Sequence, residues 1–376
     1  YRMHELNDAV PRKTIGAQEL FLDILKERAE TGRLYLMNID HCNSHSSFKD
    51  KVYMSNLCQE ITLPTKPLEH IDDPNGEIAL CILSAVNVGK VSKKEELEEI
   101  CDLAVRGLEE LVDYQEYPVA AAELSTKNRR SLGIGYIGLA HYLAKQGEHY
   151  DDPKAWKLVH DLSESFQYYL LKSSNAIAQE KGKCGYFDRT KYADGILPID
   201  TYKRDIDEFC GTELNHDWDS LRASIATHGL RHSTLSAQMP SESSSVVSNA
   251  TNGIEPPRAF LSTKKSKKGP LKQIVPQYGS LKSNYTLLWD MKGNDGYIKI
   301  VAAMQKFFDQ AISGNWSYNP ENYENNEVPV SIMAGDLLKT YKYGWKTSYY
   351  QNTYDNKDDL QAVSYTHLTL PTIRSV

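Results

Sequence analysis

Apolar residues recur every three or four positions along three long stretches of the chain. In "SKKEELEEICDLAVRGLEELVDY", Leu97, Ile100, Cys101, Ala104, Leu108 and Leu111 fall on one helical face, and Ser92 with Glu95 has the spacing of a capping box. "DPKAWKLVHDLSESFQYYLLKSSNAIAQEKG" predicts a second helix, entered through Asp152-Pro153 and stopped at Gly182. "GYIKIVAAMQKFFDQAISG" predicts a third. Between them lie short apolar runs: "EIALCILSAVNVG", "RRSLGIGYIGLA", "RHSTLSAQMP" and "PVSIM". They are bounded by Gly, Pro or polar residues and interleaved with the helices. This pattern predicts an α/β protein with an at least partly parallel sheet or barrel, buried on both faces. The basic run Ser262 to Gln273 reads as a solvated hairpin or loop rather than a nucleic-acid site.

One stretch does not suit a core. "SNLCQEITLP" reads as a strand, in which Asn56, Cys58 and Glu60 would share a face because successive side chains alternate. An amide, a thiol and a carboxylate side by side suggest a reaction. A carboxylate next to a thiol opposes thiolate formation, so this is not the setting of an ordinary nucleophilic cysteine. One-electron chemistry at sulfur fits better, with the carboxylate taking a proton from substrate and the amide orienting it.

Composition narrows the classes. The 376 residues are 40% hydrophobic and 25% charged, ordinary for a globular protein with a core that needs no staples. A net charge of −7 gives no reason to expect nucleic acid or an anionic membrane as partner, and no apolar run reaches bilayer-spanning length. The six cysteines, at 42, 58, 81, 101, 184 and 210, are sparse and form no CxxC, which argues for a reducing cytoplasm and against a disulfide scaffold or zinc ribbon. The opening at Tyr1, in mid-pattern, suggests a missing upstream region. "SYTHLTLPTIRSV" (Ser364 to Val376) matches the preceding stretch in neither charge nor pattern, and it can be back-translated into sequencing-adapter read-through. It is expected to be non-native.

Other constellations read two ways. Cys81 sits in an apolar run, where a buried thiol is commonplace. Pro240, Ser241, Glu242, Ser243 and Ser244 precede a possible short helix containing Val246 and Val247. Their hydroxyls and free N–H groups suit a phosphate, or form only a Ser-rich cap. Gly133, Gly135 and Gly138 satisfy GxGxxG, but a dinucleotide site needs a complete βαβ unit with an acidic residue at a strand end. A tight strand-to-helix turn accounts for the glycines better. Tyr349 and Tyr350 can be packed aromatics, or can relay an electron with its proton. His41, Cys42 and His45 imitate half a metal site without a partner pair, so a polar loop and no metal are expected.

Taken together, "NLCQE", "GEIALCILSAVN", "RRSLGIGYIG", "LPIDTYK", "THGLRHSTLSAQMPSESSS", "SNATNGIEPPR" and "KTSYYQNT" resemble the catalytic region of the large (α) subunit of class Ia ribonucleoside-diphosphate reductases, over the chain up to about Asp359. The resemblance implies part of a ten-stranded α/β barrel, with a central finger loop carrying the radical cysteine. The barrel would occupy residues 1–318, incomplete at its N-terminal side, and residues 319–363 would form a C-terminal segment with the tyrosine pair. The implied activity is reduction of ribonucleoside diphosphates to 2′-deoxyribonucleoside diphosphates by thiyl-radical chemistry. Cys58 would be the thiyl that abstracts the ribose 3′ hydrogen, Glu60 would deprotonate the 3′ hydroxyl, and Asn56 would hold the sugar. Cys81 would be one member of the reducing dithiol, and Tyr349 with Tyr350 would bring in the radical. Asn56, Leu57, Cys58, Gln59 and Glu60 would contact substrate, and Pro240, Ser241, Glu242, Ser243 and Ser244 would hold mainly its diphosphate.

The same resemblance implies no cofactor bound in this chain and a radical supplied by a metal-containing small (β) subunit. It also implies an α homodimer in the full-length enzyme, with thioredoxin or glutaredoxin as reductant. ATP and dNTP effectors would bind an N-terminal region absent here. Also absent are the cysteine partner of Cys81 and a C-terminal cysteine pair, so this length of chain alone is expected not to turn over. The tyrosine pair favours class I over the cobalamin-dependent and glycyl-radical classes. A nicotinamide oxidoreductase relying on Gly133 and Gly135, and a non-catalytic remnant, stand as alternatives.

Overall fold

The structure, a computed structural model, describes residues 4, 6, 7, 9–71, 73–266 and 269–355; the expected non-native tail, 364–376, lies outside them. Helix α1 (Ala17–Thr31), strand β1 (Leu36–Met37) and helix α2 (Ile39–Ser44) come first, followed by a long excursion with little regular structure. Next come β2 (Ile82–Asn87), α3 (Lys94–Tyr114), α4 (Ala120–Arg129), β3 (Leu132–Ile137), α5 (Leu139–Gln146) and the 29-residue α6 (Pro153–Lys181). Beyond them lie α7 (Trp218–His228), α8 (Glu242–Val247), β4 (Leu261–Ser266) and β5 (Gly269–Ile274). The described chain closes with α9 (Asp295–Gln305), β6 (Trp316–Tyr318), α10 (Val330–Lys342), β7 (Thr347–Ser348) and β8 (Gln351–Thr353).

Helix α6 runs between Pro153 at its first position and Gly182 at its C-cap, as the sequence predicts. Helix α3 packs on it, but on a rotated face. Leu97, Cys101, Val105, Leu108 and Val112 are buried, whereas Ile100 and Leu111 are 36% and 45% exposed. Its cap also shifts by one residue. The helix begins at Lys94, so Glu96 stands at the third position, and its carboxylate accepts from Ser92 N (2.8 Å) and Lys93 N (3.3 Å). Glu95 is not the capping residue.

Strands β2 and β3 pair in parallel from Ile82↔Leu132 to Asn87↔Ile137. Parallel bridges Ile134↔Ser236 and Gln238↔Ile312 carry the ladder on through two further extended segments, 234–238 and 310–313. This is a mixed helix–sheet wall of parallel segments; the strand pairings among the described residues trace no closed barrel. β1 and β7 pair antiparallel, β6 and β8 pair in parallel, and β4–β5 form the expected hairpin. No helix among the described residues is long and apolar enough to cross a membrane.

Three expected elements differ. "PVSIM" is no strand but the start of α10, because the apolar spacing continues past it and buries Met333, Asp336 and Thr340 on one helical face. The third helix stops at Gln305, and residues 306–313 turn away to join the wall. The segment holding His41 and Cys42 is helix α2 rather than a loop. Its polar atoms meet the neighbouring backbone: His41 Nδ1 lies 2.9 Å from Trp345 O, and Cys42 Sγ donates to Lys346 O at 3.7 Å.

Candidate active site

The excursion between α2 and β2 is tied at its base. Asp50 enters it and Glu77 leaves it, and two arginines bridge both. Arg129 donates to Glu77 (2.7 Å) and Asp50 (3.0 Å), and Arg189 to Asp50 (2.8 Å) and Glu77 (3.1 Å). Arg129 and Glu77 are buried, so each charge relies on its neighbours.

At the tip the strand expectation fails. Residues 56–61 make a turn, with Asn56 N donating to Ile61 O (3.2 Å), Gln59 N to Asn56 O (3.2 Å) and Ile61 N to Asn56 Oδ1 (3.1 Å). Gln59 is left-handed at φ 67°, a conformation costing a non-glycine residue about 1 kcal/mol or more. Its buried side chain offsets this when the amide is assigned with its nitrogen toward the carbonyls, the orientation in which it donates to Ser348 O (3.1 Å) and Leu36 O (3.2 Å). Alternation therefore does not bring the three groups together; the turn does. The Asn56 side chain lies against Glu60 and favours its carboxylate, and Ser313 Oγ donates to Cys58 O and lies 3.3 Å from Glu60 Oε2. Leu57 points outward, 64% exposed.

Two sulfurs face this arrangement. Cys58 is half-buried, and the Tyr349 hydroxyl donates to its Sγ at 3.4 Å. Burial pushes the Cys58 thiol up from its ordinary value, against the pull of the Tyr349 hydrogen bond; the Glu60 carboxylate pushes further. Cys81 sits just before β2, where Gln310 Nε2 donates to its Sγ at 3.5 Å. Burial pushes that thiol up to about 12, and the Glu60 carboxylate again adds to the push. One carboxylate is thus felt by both sulfurs, and burial holds it above the usual carboxylate range. Gly133 makes the room, since a Cβ there would lie 2.9 Å from Cys81 Sγ and 2.6 Å from Leu83 Cδ2.

The aromatic end is compact. Tyr349 and Tyr350 have ring centroids 4.0 Å apart, and Tyr35 lies 4.6 Å from the first and 5.4 Å from the second. Burial raises the Tyr349 phenol, and its contacts with Cys58 and Tyr350 raise it further. Buried Arg28 donates to Tyr349 O (3.2 Å), and Asn315 Oδ1 accepts from Tyr350 N (3.0 Å).

The Ser-rich segment begins where strand-like 234–238 ends. That segment lies between β3, beneath Cys81, and 310–313, beneath Cys58. Pro240, Ser243 and Ser244 are exposed at the start of α8, while Ser241 is buried and donates to Met239 O (3.2 Å). The GxGxxG turn has no vacancy for a phosphate: Gly138 N donates to Thr251 O (3.1 Å) and Leu139 N to Gly253 O (3.2 Å). A cavity of about 240 Å³ is lined by His41, His45, Lys203 and Tyr343 and by none of the residues above. His160, Asp161 and Glu164 on α6 come within metal-ligating distance of one another, but Glu164 already accepts from Asn215, His216 and Trp218, and Asp161 from Lys157.

Sequence reasoning missed Ser313, Gln310, Arg28 and Tyr35. The first three act through backbone or single hydrogen bonds across more than 200 positions, and no local pattern marks them. Tyr35 is one of 24 tyrosines; only its neighbours in space distinguish it.

The family model for the ribonucleotide reductase barrel domain matches residues 1–281 and 276–351. The chain is 56% identical over 364 residues to the ribonucleoside-diphosphate reductase subunit alpha of Haemophilus influenzae, covering 96% of this chain and 48% of that protein. It is 54% identical to the ribonucleoside-diphosphate reductase 1 subunit alpha of Escherichia coli over the same shares. With the subunit alpha of Enterobacteria phage T4 it is 41% identical, covering 94% and 47%. The chain spans about half the length of the curated relatives it matches.

Proposed function

The chain belongs to the ribonucleotide reductase barrel-domain family, and from that premise we propose that it carries the reaction centre of an α subunit that reduces ribonucleoside diphosphates to 2′-deoxyribonucleoside diphosphates. The observation that carries this reading is the Tyr349 hydroxyl on the Cys58 sulfur at 3.4 Å, with the Tyr350 ring tilted against that of Tyr349 at a centroid distance of 4.0 Å. A thiol pushed up by burial keeps its hydrogen at neutral pH, which a hydrogen-atom donor needs and a nucleophile does not.

A radical arriving at Tyr350 passes to Tyr349. The Tyr349 oxygen then takes the hydrogen atom of Cys58 S–H, leaving a thiyl and a restored phenol. The thiyl removes the ribose 3′ hydrogen, and the Glu60 carboxylate accepts the 3′ hydroxyl proton. The 2′ oxygen departs as water, and two thiols supply two electrons and two protons and end as a disulfide. The 3′ hydrogen then returns from Cys58. Cys81 is one of these thiols. Cys42, Cys101, Cys184 and Cys210 are buried in the core, so its partner comes from outside the described residues. Asn56 orients the sugar. Leu57 and the backbone at 58–60 line the near side, because the Gln59 side chain is committed to Leu36 and Ser348. The segment Pro240 to Ser244 holds the diphosphate, chiefly through the exposed hydroxyls of Ser243 and Ser244 and the N–H groups at the start of α8, with Ser241 bracing the turn through Met239 O.

The full-length protein on this reading works as an α homodimer, in the cytoplasm. It has a metal-bearing β subunit as radical source, thioredoxin or glutaredoxin as reductant, and ATP and dNTP effectors bound elsewhere. The deciding experiment replaces Cys58 by Ser in the full-length enzyme, supplied with small subunit and reductant. Turnover of CDP and ADP disappears while substrate binding persists; retained turnover would refute the reading.

A further inference from the structure

Lys346 is fully buried, directly ahead of the strand that leads into Tyr349. Its Nζ donates to three consecutive carbonyls, Phe308 O (3.2 Å), Asp309 O (2.7 Å) and Gln310 O (2.9 Å). An ammonium has three N–H groups and meets all three; a neutral amine has two. The Gln305 amide grips the same turn, donating to Phe308 O (3.2 Å) and Gln310 O (2.9 Å).

Residues 310–313, on the far side of that turn, touch Cys81, Glu60 and the Cys58 backbone. Gln310 Nε2 donates to Cys81 Sγ, and Gln310 Oε1 accepts from Thr62 N at 3.2 Å. Ala311 N donates to Glu60 O at 3.0 Å. Ser313 Oγ reaches Cys58 O and the Glu60 carboxylate. On the other side, Thr347 Oγ1 donates to Ile312 O at 2.9 Å, two residues before Tyr349. The ammonium therefore stands between the run that holds both thiols and the run that holds the phenols.

We propose that Lys346 is a positioning residue whose protonated side chain fixes the 308–313 run against the tyrosine-bearing strand, and so sets the distance between the Tyr349 oxygen and the Cys58 sulfur. This rests on the radical reading of the site. The groups facing the ammonium are Asp309 from its own turn, Cys42, His41 and His45 from α2 and its end, and Lys191. Burial pulls Lys346 down to about 7, Cys42 and Asp309 favour its charge, and Lys191 opposes it. Lys346 in turn lowers His41 and His45.

The test replaces Lys346 by Met in the full-length enzyme with its small subunit. Expected are a fall in kcat of about tenfold or more with KM for the diphosphate changed less than about threefold, the signature of lost transition-state geometry rather than lost binding. The ratio of wild-type to variant kcat shrinks as pH rises from 6.5 to 9, because the wild type then loses its third donor. Adding Ser313→Ala to Lys346→Met costs less than the two single effects combined, since both act through one run. An unchanged kcat, a KM-only effect, a pH-independent ratio or full additivity would each overturn the proposal. Should the Met variant not fold, Lys346→Arg serves. Its charge is kept but its planar fork cannot meet three converging carbonyls, so the same kcat-selective loss is expected and its absence counts against the idea. Lack of turnover in the wild type, or turnover in Cys58→Ser, sinks the radical reading instead and is told apart by those controls.

Discussion

The two sulfurs are held in opposite ways. Cys81 stands at the mouth of a parallel strand pair, its sulfur wedged over Gly133 and bonded to a buried amide. Cys58 rides on a turn whose neighbours Tyr53, Met54 and Leu57 are exposed, fixed by Ser313, Tyr349 and the Gln59 amide. Rigidity in the first case comes from packing. In the second it comes from a few hydrogen bonds at the tip and an ionic ring at the base. On the proposed reading the Cys58 sulfur passes a hydrogen atom between a phenol and a sugar; that role needs an open side, and a turn supplies it where a packed strand cannot.

This contrast can be broken most heavily at the ring. Arg129→Met leaves Glu77 buried with half its partners, which costs about 3–5 kcal/mol. Thermal unfolding of the chain should show a drop of many degrees, while Arg189→Met, on a half-exposed side chain, costs far less. Equal losses would mean the ring is not what holds the loop base.

On the packed side, Gly133→Val puts a side chain where Cys81 Sγ and Leu83 stand, an overpacking cost of about 1–3 kcal/mol. Site-specific alkylation followed by mass spectrometry should find Cys81 displaced and more reactive, with Cys58 unchanged. A parallel change at Cys58 would show that the two mountings are coupled.

The smallest effect on stability is electrostatic. Burial raises Glu60 in the folded chain, so the folded state binds more protons than the unfolded one, and this contribution is full below the ordinary carboxylate value and fades as pH rises through the raised one. Glu60→Gln should therefore gain stability relative to wild type as pH climbs from 4 to 8, while losing turnover by orders of magnitude. A stability difference independent of pH would contradict the assigned burial.

Much of this was legible in the sequence, for identifiable reasons. Helix α6 announced itself through Asp152-Pro153 and Gly182, and the grouping of Asn56, Cys58 and Glu60 stood in five consecutive letters. Strand alternation is not the cause of that grouping, because alternation assumes an extended chain and Gln59 is left-handed. A polar residue in that conformation has no sequence signature without the carbonyls of Leu36 and Ser348 that hold it. "PVSIM" failed because five letters cannot separate a period of two from one of 3.6. Lys346, Gln310 and Ser313 serve the site through backbone carbonyls and single bonds, which composition does not reveal.

The most direct measurement concerns the hydrogen-atom step. In the full-length enzyme with its small subunit, Tyr349→Phe removes the phenol oxygen bonded to the Cys58 sulfur. Substrate should still bind within about threefold of wild type, with turnover below detection and the radical retained upstream in the electron spin resonance spectrum. Deoxynucleotide formation by that variant at a sizeable fraction of the wild-type rate would show that the Cys58 sulfur receives its radical by another route.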